Sequence, residues 1–173
     1  MTHLAAIALC ELLVLGASPA PIEFDGEEYA PSFTSDQPGL RLVEYVRAGE
    51  TVENWTKLFA VRNFQQQRDP REAVKTFERV VKQHNPLAGV QVLVKEDGSE
   101  AMIDFLTWAS SAEPMELNIH RYVKKPGFPG LISYQFAFRF QRTPDMTAEN
   151  IRALKENWSE QMRQLDPPVA FGK

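Results

Sequence analysis

Between residues 131 and 141 apolar and polar positions alternate without a break. Ile132, Tyr134, Phe136, Phe138 and Phe140 fall on one side, and Ser133, Gln135, Ala137, Arg139 and Gln141 on the other. A period of two marks a half-buried strand, here with an aromatic inner face. Similar runs predict strands over residues 40–46, 57–64, 90–95, 100–108 and 115–124. In the last of these Met115, Leu117, Ile119 and Val123 point one way, with Arg121 on the same face. Asp97-Gly98 joins two of the strands as a hairpin, because a type I′ turn needs positive φ at both central residues. The period changes to 3.6 twice. Asp69-Pro70-Arg71-Glu72 supplies an N-cap acid, a first-turn proline and a capping-box glutamate. Ala73, Val74, Phe77, Val80 and Val81 follow as one apolar face, which Asn85-Pro86 stops. Thr147 caps a second helix with the stripe Ile151, Leu154, Trp158, Met162 and Leu165, ended by Asp166-Pro167-Pro168. Strands in consecutive runs with two separated helices predict an α+β domain over residues 40–173. Its sheet is mainly antiparallel, of about six strands, with the two main helices packed on it.

The chain ahead of this domain divides in two. Residues 21–39 hold three Pro, two Gly and five acids around isolated aromatics at Phe24, Tyr29 and Phe33, and read as a linker or N-terminal arm. Residues 1–20 hold a near-continuous apolar run that ends in Gly16-Ala17-Ser18-Pro19-Ala20. An apolar stretch followed by small residues is the pattern of an export signal, so the expected location is periplasmic or secreted. Met1-Thr2-His3 brings no basic residue, and Glu11 interrupts the run. The run falls short of the roughly 18–20 apolar residues that a membrane span requires, so no stable span is expected once the signal is removed.

Composition narrows the chemistry. The formal charge of −4 lacks the basic excess of a nucleic-acid binder, so no nucleic-acid partner is expected. The only cysteine is Cys10, inside the apolar run. The mature domain then has no disulfide and no thiol nucleophile, and must rely on its core. The histidines are His3, His84 and His120, too few and too scattered for a zinc site, so neither a metal nor a cofactor is expected. His84 sits at a helix C-terminus, where a cationic imidazole is favoured, and His120 lies mid-strand on the face opposite Ile119. No Gly-x-Ser-x-Gly, Ser-x-x-Lys or glycine-rich phosphate loop is present, and Ser110-Ser111 only precedes a loop. No catalytic residue is assigned. Asp104 stands out inside the apolar stretch Met102-Ile103-Asp104-Phe105-Leu106. A carboxylate there either faces solvent or finds a partner such as Arg121 or Arg139 on another strand. Those three residues form the candidate ligand site.

The stretch Glu44-Tyr45-Val46-Arg47-Ala48-Gly49-Glu50-Thr51-Val52-Glu53-Asn54-Trp55-Thr56 resembles a segment of small exported bacterial proteins of unknown function. In them a strand ending in an aromatic-Val pair leads into Gly-Glu-x-x-x-x-Trp-Thr. That resemblance implies an exported bacterial protein and brings no catalytic residues. Element order alone is similar to the PsbP-like and DcrB-like folds, which serve as binding or accessory modules; function does not follow from such a likeness. Gly49 is expected to turn the chain and Trp55 to drop into the core, leaving Glu44, Glu50 and Trp55 at a corner suited to an interaction surface. The expected function is a non-enzymatic module that binds another envelope or secreted protein. The alternatives are a small-ligand binder or enzyme built around Asp104, Arg121 and Arg139, and an immunity or secretion-accessory protein.

Overall fold

A computed structural model describes residues 19–108, 113–167 and 171. The fold is α+β, with one eight-stranded antiparallel sheet curved into a half-barrel and two helices. The strands are β1 (Ile22–Phe24), β2 (Glu27–Gln37), β3 (Leu40–Val46), β4 (Lys57–Phe64), β5 (Gly89–Val94), β6 (Glu100–Thr107), β7 (Met115–Val123) and β8 (Leu131–Phe140). Helix α1 (Pro70–His84) separates β4 from β5, and α2 (Ala148–Gln164) follows β8. Their order across the sheet is β1-β2-β3-β4-β8-β7-β6-β5, so the last strand in sequence is inserted at the centre, between β4 and β7.

The local signals for the helices act much as their chemistry requires. Asp69 accepts a hydrogen bond from the Arg71 amide at 2.8 Å, with Pro70 in the first turn. Glu72 does not close a capping box; its carboxylate takes Lys75 at 3.1 Å on the solvent side. Thr147 caps α2 by accepting from the Asn150 amide. At the other end of α2 the Arg121 guanidinium donates to the carbonyls of Met162 and Leu165, two groups that the helix leaves unpaired.

Each helix covers a different face. On one, Phe59, Val61, Ile119, Tyr134 and Phe136 are fully buried beneath Trp158 and Met162 of α2. On the other, Val74 and Val81 of α1 pack against Ile103, Phe105 and Tyr122. Among the described residues, the α1 face is covered only in part. At its far side a smaller apolar group, Val46, Trp55, Leu58, Ala60 and Ala137, stands apart from the α1 cluster. Because β8 is central, Ser133 and Ala137 are as buried as its aromatic residues. The half-buried strand expected from alternation is therefore buried on both sides.

The sheet has eight strands rather than about six, and the difference lies in residues 21–39. The expected linker is instead β1 and the whole of β2. Phe24 pairs with Glu27 across Asp25 and Gly26, at φ 53° and 70°, which makes a two-residue turn of type I′ character. Gln37 pairs with Leu40 across Pro38-Gly39, the proline-then-glycine order of a type II turn. The prolines and acids that suggested a linker are accommodated by geometry. Pro31 precedes a register shift in which Ser32 is the extra residue of a bulge, and among the described residues β2 is paired on its outer side only by the three residues of β1. Hairpin β1–β2 also curls onto the core: Tyr29 is fully buried, and Phe24 lies 4.6 Å from Phe136 between ring centroids. The proposed export signal and the Ser110-Ser111 pair lie outside the described residues. Among the described residues, no helix is long and apolar enough to cross a membrane.

Gly130 is the tightest backbone approach. Its φ is 76°, and a Cβ there would stand 2.0 Å from the Phe64 carbonyl oxygen. Asn63 holds the same entry to β8 by donating to the carbonyls of Pro129 and Leu131. Gly130→Ala is expected to cost about 3 kcal/mol or more in urea denaturation, since backbone must move. Gly127→Ala, also at positive φ (84°) but with open space around it, is expected to cost only about 1 kcal/mol.

Candidate functional site

The three residues picked from sequence are not brought together. Asp104 and Arg121 share the α2 face, on neighbouring strands β6 and β7, and each is bound to something else. Asp104 is 7% exposed and pairs with Lys155 of α2 at 3.0 Å. Burial pushes its carboxyl up, opposed by Lys155. Arg121 pairs with Glu100 at 2.8 Å besides capping α2. Arg139 lies on the opposite face, where it pairs with Glu116 at 3.2 Å and stacks over the Trp55 ring at 3.9 Å. The two arginines diverge because Arg121 is an odd position of β7, on the Ile119 side, whereas Arg139 sits across from Glu116.

The corner suggested by the resemblance is a braced structure. Gly49 turns the chain at φ 83°. Glu50 then accepts from the Thr56 amide and hydroxyl and from Arg47, which also pairs with Glu27. Burial alone would raise the Glu50 carboxyl, but the bonds from Arg47 and Thr56 outweigh it and hold it at about 2. The corner sets Trp55, 9% exposed, on the sheet beneath Arg139. Glu50 thus serves as a brace. Glu44 is placed differently, on the sheet face, 3.6 Å from Arg62.

From Glu44 a strip of polar side chains crosses the uncovered part of the α1 face. Arg62 donates to Gln135, Gln135 to Asn118 at 2.7 Å, and Asn118 to Glu116 at 2.8 Å. Glu116 ends the strip by taking Arg139. Four of these six residues, Arg62, Gln135, Asn118 and Glu116, line a cleft of about 460 Å³ whose other wall is α1, through Ala73, Thr76, Phe77 and Val80. Asn118 is 3% exposed, and burial pulls the Arg62 guanidinium down against the pull of Glu44.

His120 is the unexpected member, since the sequence marked it only as a mid-strand residue. It is 5% exposed, it lines the cleft, and among the described residues neither ring nitrogen has a hydrogen-bond partner. Phe105 and Tyr122 stack beside it, and Phe77 of α1 meets it edge-on at 4.7 Å. Burial and the nearby Arg62 charge hold its pKa well below the usual imidazole value, so the ring is neutral and offers one donor and one acceptor. A pair of unmatched polar atoms in a well-packed aromatic setting costs stability, and the ring that carries it forms part of the cleft wall. Cues to this site did exist in the sequence, in the polar side of the β8 alternation and in His120 itself. Among the described residues, no group of three or more His, Cys, Asp or Glu could hold a metal ion.

Two expectations follow. His120→Phe removes both unmatched nitrogens, and is expected to raise stability at pH 7 by about 1 kcal/mol in chemical denaturation. Below pH 6.5 the unfolded chain takes up a proton at His120 that the folded chain refuses. Stability of the native protein therefore falls as pH drops from 6.5, and His120→Phe flattens that slope. Glu50 acts in a lower window. Its folded pKa is depressed, so its contribution is full above about 4.5 and lost as pH falls toward 2. Glu50→Gln is expected to lower stability by about 2 kcal/mol at pH 7 and by little at pH 2, read by thermal unfolding across that range.

No curated protein matches the chain. A family model matches residues 17–167, which takes in all eight strands and both helices. The family is uncharacterised, and the chain belongs to it.

Proposed function

We propose that this protein is an exported, non-catalytic module that binds another envelope or secreted protein through the cleft between α1 and the Trp55 corner. The observation that carries the reading is His120: a neutral imidazole with both nitrogens unmatched among the described residues, at the side of a polar strip that ends on Trp55. Such a site suits a side chain or chain end that both donates and accepts hydrogen bonds, while Phe77, Phe105 and Tyr122 contact its apolar part. Glu44 and Trp55 lie at the two ends of the strip, so the corner singled out by the resemblance borders the same surface. The export part of the proposal is supported by the apolar run of residues 1–20, and the family match starts only at residue 17. The cleft's size favours a second reading, in which the occupant is a free small molecule of the same hydrogen-bonding type.

The test is capture of partners by the full chain, tagged at its C-terminus, from the envelope fraction of its native cells. A specific protein is expected with the native chain and with Glu50→Gln, and is expected to be lost with His120→Phe and Arg139→Gln. Recovery of the chain in the cytoplasm at full-length mass would remove the export reading. Tight binding of a metabolite in a thermal-shift screen, with no specific protein captured, would replace the partner with a small ligand.

A further inference from the structure

The opposite face carries a second opening, independent of the cleft and of the function proposed for it. A groove of about 630 Å³ runs between the first half of α2 and strands β5, β6 and β7. Its walls are Leu106, Met115 and Leu117 from the sheet, with Met146 and Ile151 from the α2 side. The two methionines give it adaptable surfaces. The floor is open at Gly89, which stands opposite Leu106, and a Cβ at Gly89 would meet nothing within 4 Å. The polar groups of the groove are biased to one sign. Asp104 is its acid, and Lys155 already neutralises it while also donating to Gln91. Arg142 and Arg152 remain. Arg142 has the Trp108 ring at 5.6 Å, and among the described residues neither guanidinium has an ion-pair partner.

We propose that this groove binds a single-chain anionic amphiphile, a medium-chain fatty carboxylate. The alkyl chain lies along Leu106, Met115, Leu117 and Ile151 above Gly89, and the carboxylate meets Arg142 and Arg152. A guanidinium matches a carboxylate with two parallel hydrogen bonds, and an apolar wall next to it lowers the local dielectric that would weaken them. An apolar ligand without charge would leave the two arginines unused, and a cationic one would be repelled by them.

Titration calorimetry on the full chain tests this, with straight-chain C6 to C12 carboxylates, alcohols and amines kept below their micelle concentrations. Affinity for the carboxylates is expected to rise about four-fold per methylene until the groove is full. Carboxylates are expected to exceed amines of equal length by about ten-fold or more. Arg152→Gln, at an exposed position, is expected to weaken carboxylates several-fold and leave alcohols unchanged. Gly89→Met places a side chain in the groove and is expected to weaken both, with folding checked by circular dichroism. Equal binding of amines and carboxylates overturns the proposal. So does carboxylate binding that Arg152→Gln leaves untouched, or binding to anionic vesicles without binding of the free carboxylate. Loss of partner capture in His120→Phe tests the cleft alone, so the two sites stand or fall separately.

Discussion

The ring of Phe136 is the point on which three parts of the chain converge. It is fully buried on β8, with Phe24 of β1 at 4.6 Å and Trp158 of α2 at 4.9 Å between centroids, and Tyr29 edge-on at 6.3 Å. Hairpin β1–β2, the sheet and α2 are far apart in sequence, and this aromatic contact is what joins them. Aromatic side chains bury more area than any others, and tilted or edge-on pairs add a further increment of about 0.5–1.5 kcal/mol each. Polar contacts then fix the arrangement. Lys57 reaches both Asp25 and Glu27, and the Asp25 amide donates to Gln161 of α2.

Putting so much aromatic packing on one face leaves the other face of β8 with a different task. Ser133, Gln135, Ala137 and Arg139 point there, and only part of that surface is covered. Helix α1 seals the β5-β6-β7 side and Trp55 the β3-β4 side. What lies between them is a polar strip supported from below by the central, buried strand β8. A hydrogen-bonded row across four neighbouring strands holds its geometry only if the strands do not slip, and the buried aromatic face prevents slipping. Rigidity on one side of the sheet thus preorganises the other.

His120 and Arg121 are adjacent in sequence and show how finely the two faces differ. Arg121 points toward α2 and spends its donors on helix carbonyls and Glu100, a structural use that ties β7 to the end of the helix. His120, one residue earlier, points toward α1 and finds aromatic rings but, among the described residues, no partner for its nitrogens. Such a group is unfavourable for folding, and functional surfaces are where proteins tolerate that cost.

Much of the fold was legible because its signals are local. The alternation through Phe140 and the Asp69-Pro70 helix start each act within a few residues, and the structure bears them out. The Asp97-Gly98 hairpin also forms, but with positive φ at Gly98 alone and a turn over Lys95–Gly98, where the Gly98 amide donates to the Lys95 carbonyl, in place of type I′. Asp25-Gly26 is where the two-residue turn with positive φ at both positions occurs, and it was obscured by the surrounding prolines and acids; burial of Tyr29 and Phe24 against a distant core makes β1 and β2 strands. The site was less legible for a related reason. Sequence parity tells which residues of one strand share a face, and it separated His120 from Ile119. It does not tell how separate strands are registered, and so could not show that Asp104 and Arg121 face away from Arg139. The insertion of β8 between β4 and β7 is what sets Arg62 against Gln135 and Gln135 against Asn118. The sequence by itself determined the class of fold and the element types, since periodicity, capping and turn chemistry are properties of neighbours. Which polar groups meet was decided by the tertiary structure alone, because strand order and register depend on packing the aromatic face as a whole.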